Sequence, residues 1–344
     1  MENGRLKLSI LDQSPVNESE TGPEALQHTI ELVMKAEEWG YHRFWVAEHH
    51  DSGRNMGSSP EVLVSHLLAR TTRIRIGSGG VMLQHYSPYK VAENFNVLAS
   101  LAPGRVDLGI DRGPGGLPRS TRALQQGVGN GARPFHEKLV ELDQFLHNRL
   151  EEGHPLYGLQ AKPLPSQPAE LFLLGTTTAS AELAASLGMP YVFALFLNSD
   201  ETVMAESVAT YRQRFNRTKG AQPQAMLALP VIVADTDEEA RRYASEIKVV
   251  RIHLESGRTF TVGTVEAAEE FGKQSQERFT VQVHKARVVY GSRETVRKKL
   301  QDIQDLYHVE EIIAVTAIND FQKRLHSYEL LSEVFAKSAV KGGA

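Results

Sequence analysis

The stretch Ile74–Ile110, IRIGSGGVMLQHYSPYKVAENFNVLASLAPGRVDLGI, contains a complete strand–helix–strand unit. Short apolar runs bounded by turn residues predict strands at Ile74–Ser78 and Val106–Ile110. Between them, apolar residues at helical spacing predict a helix over Pro88–Leu101, with proline suiting its first turn. A helix that connects two strands in this way is typical of a parallel sheet covered by helices.

The same alternation continues on both sides of this unit. Strands and helices take turns about eight times over the 344 residues. This number matches a (β/α)8 TIM barrel, an α/β fold, better than a doubly wound sheet, which usually has fewer strands. The other predicted strands are 6–11, 44–47, 171–174, 191–195, 226–233 and 311–315, and the other predicted helices are 23–39, 60–69, 135–150, 179–187, 201–215, one opening near 237, and 321–335.

Two stretches, residues 112–134 and 253–289, are longer than the loops of a plain barrel. They predict insertions after strands 4 and 7 of the barrel, within a single domain over residues 1–344. Long insertions in a barrel are usually lids or binding loops, although solvated excursions are a second interpretation. A dinucleotide-binding fold is disfavoured, because the glycine-rich runs at 77–80 and 127–131 both lack the third glycine of G-x-G-x-x-G.

Composition excludes several classes of protein. The 38 Lys and Arg against 42 Asp and Glu give a net charge of −4, which offers nucleic acid no general attraction. The absence of cysteine excludes disulfide scaffolds, thiolate metal sites and thiol nucleophiles. No apolar run approaches the roughly 18 residues of a membrane helix, and no signal peptide is visible. We therefore expect a cytoplasmic protein that binds neither nucleic acid nor membrane.

Chemistry in a barrel is expected where strands end. Glu48-His49-His50 follow the second predicted strand, and a histidine there suits a general acid or base. A loop histidine without a catalytic role is the alternative. A metal site is not expected, since neighbouring side chains on a strand point to opposite faces. Gly79 and Gly80 end the third strand, either to admit a flat ligand or to form a tight turn.

Four residues suit an anion. Arg112 and Arg133 supply guanidinium groups, and Thr177 and Ser180 lie near a predicted helix start, where backbone N–H groups and the helix dipole favour negative charge. Thr177 and Ser180 are explained equally well as simple helix caps. The residues thus outline a barrel mouth with an anion-binding corner, a glycine-lined wall and one candidate base, and they do not name a cofactor.

The chain resembles a known family, the bacterial luciferase-like flavin monooxygenases. It is more similar to the single-protein subgroup of that family than to the light-emitting α and β subunits. The resemblance covers most of the chain. The segments that carry it are LDQSP at 11–15, AEEWGY at 36–41, WVAEHH at 45–50, SPEVL at 59–63, IRIGSGGVML at 74–83, YSP at 86–88, VAE at 91–93 and LAPGRVDLGI at 101–110.

The resemblance implies a TIM barrel and reduced FMN as cofactor. It implies acid/base chemistry for His49 and a cis peptide bond without proline at Gly79–Gly80 beneath the flavin. It also implies a phosphate pocket formed by Arg112, Thr177 and Ser180, together with Arg133. A flavin reductase would supply the reduced FMN, O2 and a small organic substrate would react, and a homodimer is expected.

One residue departs from the family pattern. Asp111 stands where relatives commonly have glycine, so a carboxylate either faces the flavin pocket, turns away from it or is protonated by burial. The chain is therefore expected to be a flavin-dependent monooxygenase with Asp111 beside its cofactor. Two alternatives stay open, namely an oxidoreductase that uses the deazaflavin coenzyme F420 for hydride transfer, and a non-catalytic flavin-binding subunit.

Overall fold

The computed structural model describes residues 6–17, 19–126, 133–218 and 220–335. Its strands are β1 (Lys7–Asp12), β2 (Arg43–Val46), β3 (Arg75–Met82), β4 (Val106–Asp111), β5 (Glu170–Gly175), β6 (Tyr191–Ala194), β7 (Ala225–Val233), β8 (Lys248–Leu254), β9 (Thr259–Val262), β10 (Phe279–Lys285), β11 (Val289–Gly291) and β12 (Glu311–Val315).

The helices connect these strands. They are α1 (Gly22–Glu38), α2 (Pro60–Arg70), α3 (Pro88–Leu101), α4 (Pro118–Leu124), α5 (Phe135–Leu146), α6 (Thr178–Leu187), α7 (Glu201–Arg214), α8 (Asp237–Glu246), α9 (Val265–Ser275), α10 (Arg293–Tyr307) and α11 (Phe321–Glu333). A short 3-10 helix follows β3 at Leu83–His85.

Eight parallel strands close into a barrel. Strands β1 to β6 pair in sequence order, β7 pairs with both β6 and β12, and β12 pairs with β1. Because the connections are helical crossovers, the carboxyl ends of all eight strands lie at one mouth of the barrel. The (β/α)8 TIM barrel predicted from the strand and helix pattern is confirmed.

Two hydrophobic layers hold the barrel together. The first fills the interior and includes Leu11, Trp45 and Phe172. The second lies between the strands and the surrounding helices, as expected for strands buried on both faces. At the amino-terminal end of the strands, a buried ionic cluster closes the interior, where Arg43 pairs with Asp107 and Glu311.

Both predicted insertions are present. The segment after β4 carries α4 and α5, and the segment after β7 carries α8 to α10 and four further strands. Three of these strands form a separate antiparallel sheet in the order β10-β8-β9. The sequence over 253–289 predicts only mixed polar and helical character, because the strands of this sheet bury one face alone. The glycine-rich run at 127–131 lies outside the described residues.

Local sequence explains where several elements begin and end. Thr21 caps α1 in a reciprocal arrangement with Glu24, and Asp200 caps α7. Gly188 ends α6 in the left-handed conformation that glycine adopts without steric cost. Among the described residues, no helix has the length and apolar character needed to cross a membrane.

Candidate functional site

A buried carboxylate organises the end of β2. Glu48 has no exposed surface and accepts three hydrogen bonds. The backbone N–H of Met82 donates to Oε2 at 2.9 Å, whereas the Tyr86 hydroxyl lies 2.7 Å and the His50 Nε2 lies 2.7 Å from Oε1. These contacts join the residues after β2 to the residues after β3. Burial, followed by the negative charge of Glu48, raises the pKa of Tyr86, so its hydroxyl stays protonated as a donor.

The side chain of His49 takes no part in the hydrogen bonds around Glu48. Its backbone N–H donates to Gly57 at 2.7 Å, and its side chain is half-buried. Nδ1 of His49 is buried without a hydrogen-bond partner among the described residues. Burial is the main reason that the pKa of His49 falls to about 4, so the imidazole is neutral at pH 7. A neutral ring with a partnerless buried nitrogen is suited to contact a ligand and to accept or share a proton.

The structure brings the rings of His50 and His85 together. Their rings meet edge to face, with centroids 6.0 Å apart. His85 Nε2 lies 2.9 Å from the carbonyl oxygen of Pro114, and the His50 N–H donates to the carbonyl of Gly115. The loop after β4 is thereby fastened to the ends of β2 and β3.

The Gly79–Gly80 peptide bond is cis, as the family resemblance implies. Neighbouring strands leave no room for a side chain at either position. A Cβ on Gly79 would lie 2.8 Å from Leu11 Cδ1 and 2.9 Å from Trp45 Cε3, and a Cβ on Gly80 would lie 2.8 Å from the Gly109 carbonyl oxygen. Barrel packing therefore accounts for both glycines, whatever ligand approaches this wall.

Asp111, the residue that departs from the family pattern, turns toward its own loop. Its Oδ1 accepts a hydrogen bond from the Gly113 N–H at 2.5 Å. Burial raises the pKa of Asp111, while the N–H groups of Gly113 and Arg112 oppose that rise. The adjacent Arg112 is exposed, and within the part of the chain that the structure describes no carboxylate pairs with its guanidinium. This places an unpaired cation at the end of β4.

Thr177 and Ser180 begin α6 as reciprocal caps. The Ser180 N–H donates to Thr177 Oγ1 at 3.3 Å, and the Thr177 N–H donates to Ser180 Oγ at 3.3 Å. Ser180 Oγ also lies 3.0 Å from the Tyr191 hydroxyl. The capping interpretation of the sequence is thus realised. Anion binding at this helix start would rest mainly on its backbone N–H groups and dipole, since both hydroxyls are engaged.

Arg133 is not brought into this group by any contact. Its guanidinium donates two hydrogen bonds to Glu141 of α5, one of them 2.8 Å long from Nη1. Glu141 is buried and also lies 3.3 Å from His154 Nε2. The charge of Arg133 is therefore already neutralised, and a phosphate role for this residue stays a prediction.

The insertion after β7 covers part of the mouth. Thr261 of β9 donates to the carbonyl of Leu197 after β6 at 2.9 Å, and Arg251 of β8 donates to Asn198 at 3.0 Å. On the β4 side, the Arg119 N–H of α4 donates to Gln274 of α9 at 3.0 Å. These contacts fix the inserted sheet over the loops that follow the barrel strands, where it can exclude water from a ligand.

Sequence reasoning missed several residues of this site. Tyr86, His85, Asn198 and Arg251 had no assigned role, although Tyr86 stands in a segment that carries the family resemblance. Their partners are distant in the chain: Tyr86 is 38 residues from Glu48, and Arg251 is 53 residues from Asn198. Only a turn-forming Ser-Pro after Tyr86 signalled that this side chain follows a strand end.

The arrangement fits a partly buried, anionic ligand. The orphaned Nδ1 of His49 offers one polar contact, and the unpaired Arg112 and the start of α6 offer an anion site at the ends of neighbouring strands β4 and β5. The interior cluster beneath, which includes Leu11, Trp45 and Phe196, supplies an apolar floor. Cofactor pockets commonly combine such apolar walls with a few polar groups.

Comparison with known proteins agrees with this fold. The family model described as luciferase-like monooxygenase matches residues 6–308. The chain is 41% identical over 328 residues to the N-acetyl-S-alkylcysteine monooxygenase of Bacillus subtilis, covering 95% of this chain and 98% of that protein. Among solved structures, apo-MsnO8 superposes with a TM-score of 0.78 at 34% identity, covering 97% of this chain and 98% of that one.

More distant structures share the fold alone. The oxygenating constituent of 3,6-diketocamphane monooxygenase from Pseudomonas putida, solved in complex with FMN, has a TM-score of 0.70 at 17% identity and covers 96% of this chain and 97% of that one. An F420-dependent secondary alcohol dehydrogenase has a TM-score of 0.65 at 15% identity and covers 96% of this chain and 98% of that one. Neighbours of this fold thus include both flavin and F420 proteins. On the match of its family model and its relatives, the chain belongs to the luciferase-like monooxygenase family.

Proposed function

We propose that this protein is an FMN-dependent monooxygenase that uses reduced FMN and O2 to oxygenate a small organic substrate. The observation that carries the proposal is the neutral His49, whose buried Nδ1 has no partner within the described chain, at the same barrel mouth as the unpaired Arg112. A base and an anion site at one mouth suit a phosphorylated cofactor together with proton transfer.

Each residue of the mouth has a distinct task in this proposal. Arg112 and the N–H groups at the start of α6 would hold the phosphate, and the Gly79–Gly80 wall would lie against the ring system. When bound, reduced FMN supplies the two electrons with which one atom of O2 enters the substrate and the other leaves as water. His49 would accept or return the proton, and the inserted sheet would exclude water.

Asp111 fits this proposal because its carboxylate is directed to its own loop. The Gly113 N–H occupies Oδ1, and burial favours the protonated form. The carboxylate is thus engaged by its own loop and is not offered to the cofactor. We infer from the family that a separate reductase supplies reduced FMN and that the protein acts as a homodimer; size-exclusion chromatography with light scattering tests the second point.

The experiment that tests the proposal is a single-turnover oxygenation. Protein and reduced FMN are mixed without oxygen, and isotopically labelled O2 is then added together with a candidate substrate. Mass spectrometry measures the mass of the product. N-acetyl-S-methylcysteine is the first substrate to try, because the relative at 41% identity is named for N-acetyl-S-alkylcysteines. We expect one labelled oxygen atom in the product, and a control without protein should give none.

Two results would contradict the proposal. Hydride transfer with reduced F420, without oxygen uptake, would assign the protein to the F420-dependent branch of this fold instead. Tight binding of FMN with flavin reoxidation at the rate of free flavin, across a panel of thioethers, aldehydes and sulfonates, would favour a non-catalytic flavin-binding subunit.

A further inference from the structure

The inserted sheet has one apolar face and one polar face. Val250, Ile252 and Leu254 of β8 pack with Ala268 and Phe271 of α9 in a separate hydrophobic cluster. Arg251 and His253 alternate with these residues along β8 and therefore lie on the opposite face. Cross-strand pairing adds more polar side chains to that face, with Thr261 and Gln282 opposite Arg251 and with Thr259 and Thr280 opposite His253.

This polar face meets the barrel mouth. Arg251 Nη2 donates to Asn198 Oδ1 at 3.0 Å, and Asn198 Nδ2 donates in turn to the carbonyl of Thr176 at 2.9 Å. Asn198 follows β6 and Thr176 follows β5. The guanidinium of Arg251 is therefore held at the carboxyl ends of two neighbouring barrel strands, where ligands of this fold bind.

Most donors of Arg251 are unused. A guanidinium carries five N–H groups, and across the described ranges the side chain of Arg251 donates a single hydrogen bond, to a neutral amide. None of the carboxylates placed by the structure lies within 4.0 Å of it, although the side chain is half-buried. Two arginines of the same insertion that are more exposed do have a carboxylate partner, Arg258 with Glu277 and Arg287 with Glu201. The unused N–H groups of Arg251 are therefore available to an anionic ligand at the mouth.

His253, two residues further along β8 on the same face, also has an unused hydrogen-bonding group. His253 Nδ1 lies 2.8 Å from Thr259 Oγ1, while its Nε2 is buried and finds no hydrogen-bond partner in the described part of the chain. Two polar side chains on one face therefore have unused hydrogen-bonding capacity. A rigid guanidinium fork matches the two oxygens of a carboxylate better than any other side chain does.

We propose that Arg251 binds a carboxylate of the organic substrate, so that the substrates of this enzyme are small organic acids. The inference rests on the proposed function, because it names the substrate class of the same barrel mouth. The cofactor phosphate has its own cation in Arg112 on the β4 loop, which leaves Arg251 for the second ligand. Asn198 positions the guanidinium and leaves its remaining N–H groups free.

Calorimetric titration tests the proposal independently of turnover. N-acetyl-S-methylcysteine and its primary amide, which lacks the charge, are titrated into the FMN-loaded wild type and into R251Q, R251K and R258Q. We expect the wild type to prefer the acid by about 10- to 100-fold, the gain from a hydrogen-bonded charge pair. R251Q should bind acid and amide alike, R251K should lose part of the preference, and R258Q should match the wild type.

Several outcomes would overturn the inference. Equal binding of acid and amide by the wild type would do so, as would a full acid preference retained in R251K and R251Q. Weaker FMN binding in R251Q, with riboflavin binding and acid preference unchanged, would assign Arg251 to the cofactor phosphate. An acid preference without any oxygenated product would count against the proposed function and leave the carboxylate site standing. Thermal unfolding of each variant checks the fold. If R251Q does not fold, R251K, which keeps the positive charge, still tests the proposal.

Discussion

The Tyr86 hydroxyl donates a hydrogen bond of 2.7 Å to Glu48, a carboxylate with no solvent-exposed surface. This contact ties the turn after β3 to the end of β2, immediately before His49. Because His50 shares the same carboxylate oxygen, the backbone on both sides of His49 is anchored. We therefore regard Tyr86 and Glu48 as positioning residues for His49.

Replacing Tyr86 by phenylalanine tests the hydrogen bond on which that role depends. Tyr86→Phe keeps the ring and removes one donor from a buried carboxylate, so we expect the free energy of unfolding to fall by about 1.5–3 kcal/mol. Chemical denaturation measures the change. The exposed Tyr157 provides a matched control, since Tyr157→Phe should leave the unfolding midpoint unchanged. Equal effects of both variants would contradict a stabilising hydrogen bond between Tyr86 and Glu48.

His49 should stay neutral far below the pH at which free histidine is protonated. Burial lowers the pKa of His49 to about 4 from an ordinary value of 6.5. Because the folded pKa is the lower one, the unfolded chain takes up a proton first, and stability from this group is lost as the pH falls from 6.5 towards 4. An NMR titration, with His49→Gln to assign the resonance, measures the pKa. Titration of that resonance near 6.5 would contradict the buried environment.

His49→Ala should slow turnover without weakening the binding of FMN. The proton-transfer role predicts a loss of about 100- to 10,000-fold in substrate oxygenation, while the dissociation constant for FMN should change little. Stopped-flow absorbance and flavin fluorescence measure the two quantities. Loss of FMN binding with unchanged turnover of the bound fraction would reduce His49 to a structural residue.

Arg112→Ala should discriminate between two flavins. Because the variant removes a charged donor to phosphate, its affinity for FMN should fall by about 10- to 100-fold. Riboflavin lacks the phosphate, so its affinity should not change. Quenching of flavin fluorescence measures both affinities. Arg217→Ala, an exposed arginine bonded to Gln222, serves as the control. Equal weakening of FMN and riboflavin would refute the phosphate assignment.

The buried ionic cluster at the other end of the barrel should govern stability. Asp107 has no exposed surface and accepts hydrogen bonds from Arg43 and from the Trp45 indole at 2.8 and 2.9 Å. Asp107→Ala leaves Arg43 with one of its two buried counter-charges, so we expect a loss of about 3–5 kcal/mol in unfolding free energy. Glu277→Ala, which breaks the surface pair with Arg258, should cost only about 0–1 kcal/mol. Denaturant unfolding of both variants decides the comparison.

Much of the fold was predictable because its signals are local. Apolar periodicity located the eight barrel strands, and the long polar stretches located both insertions. The topology of the barrel alone places His49, Asp111 and Thr177 at one mouth. Gly79 and Gly80 lie inside β3, because this strand continues to Met82 and does not end at Ser78 as its sequence predicts. The inserted sheet is not predicted, since its strands are polar on one face and stand in a stretch of mixed polar and helical character.

The sequence by itself determined the barrel, the position of its insertions and the set of residues at its mouth. Only the tertiary structure decided which distant groups meet there: Tyr86 with Glu48, His85 with the carbonyl of Pro114, and Arg251 with Asn198. The physical reason is range. Helix and strand patterns repeat over a few residues, whereas the partner of a charged or hydrogen-bonding side chain depends on which distant loops the closed barrel brings within 3 to 4 Å.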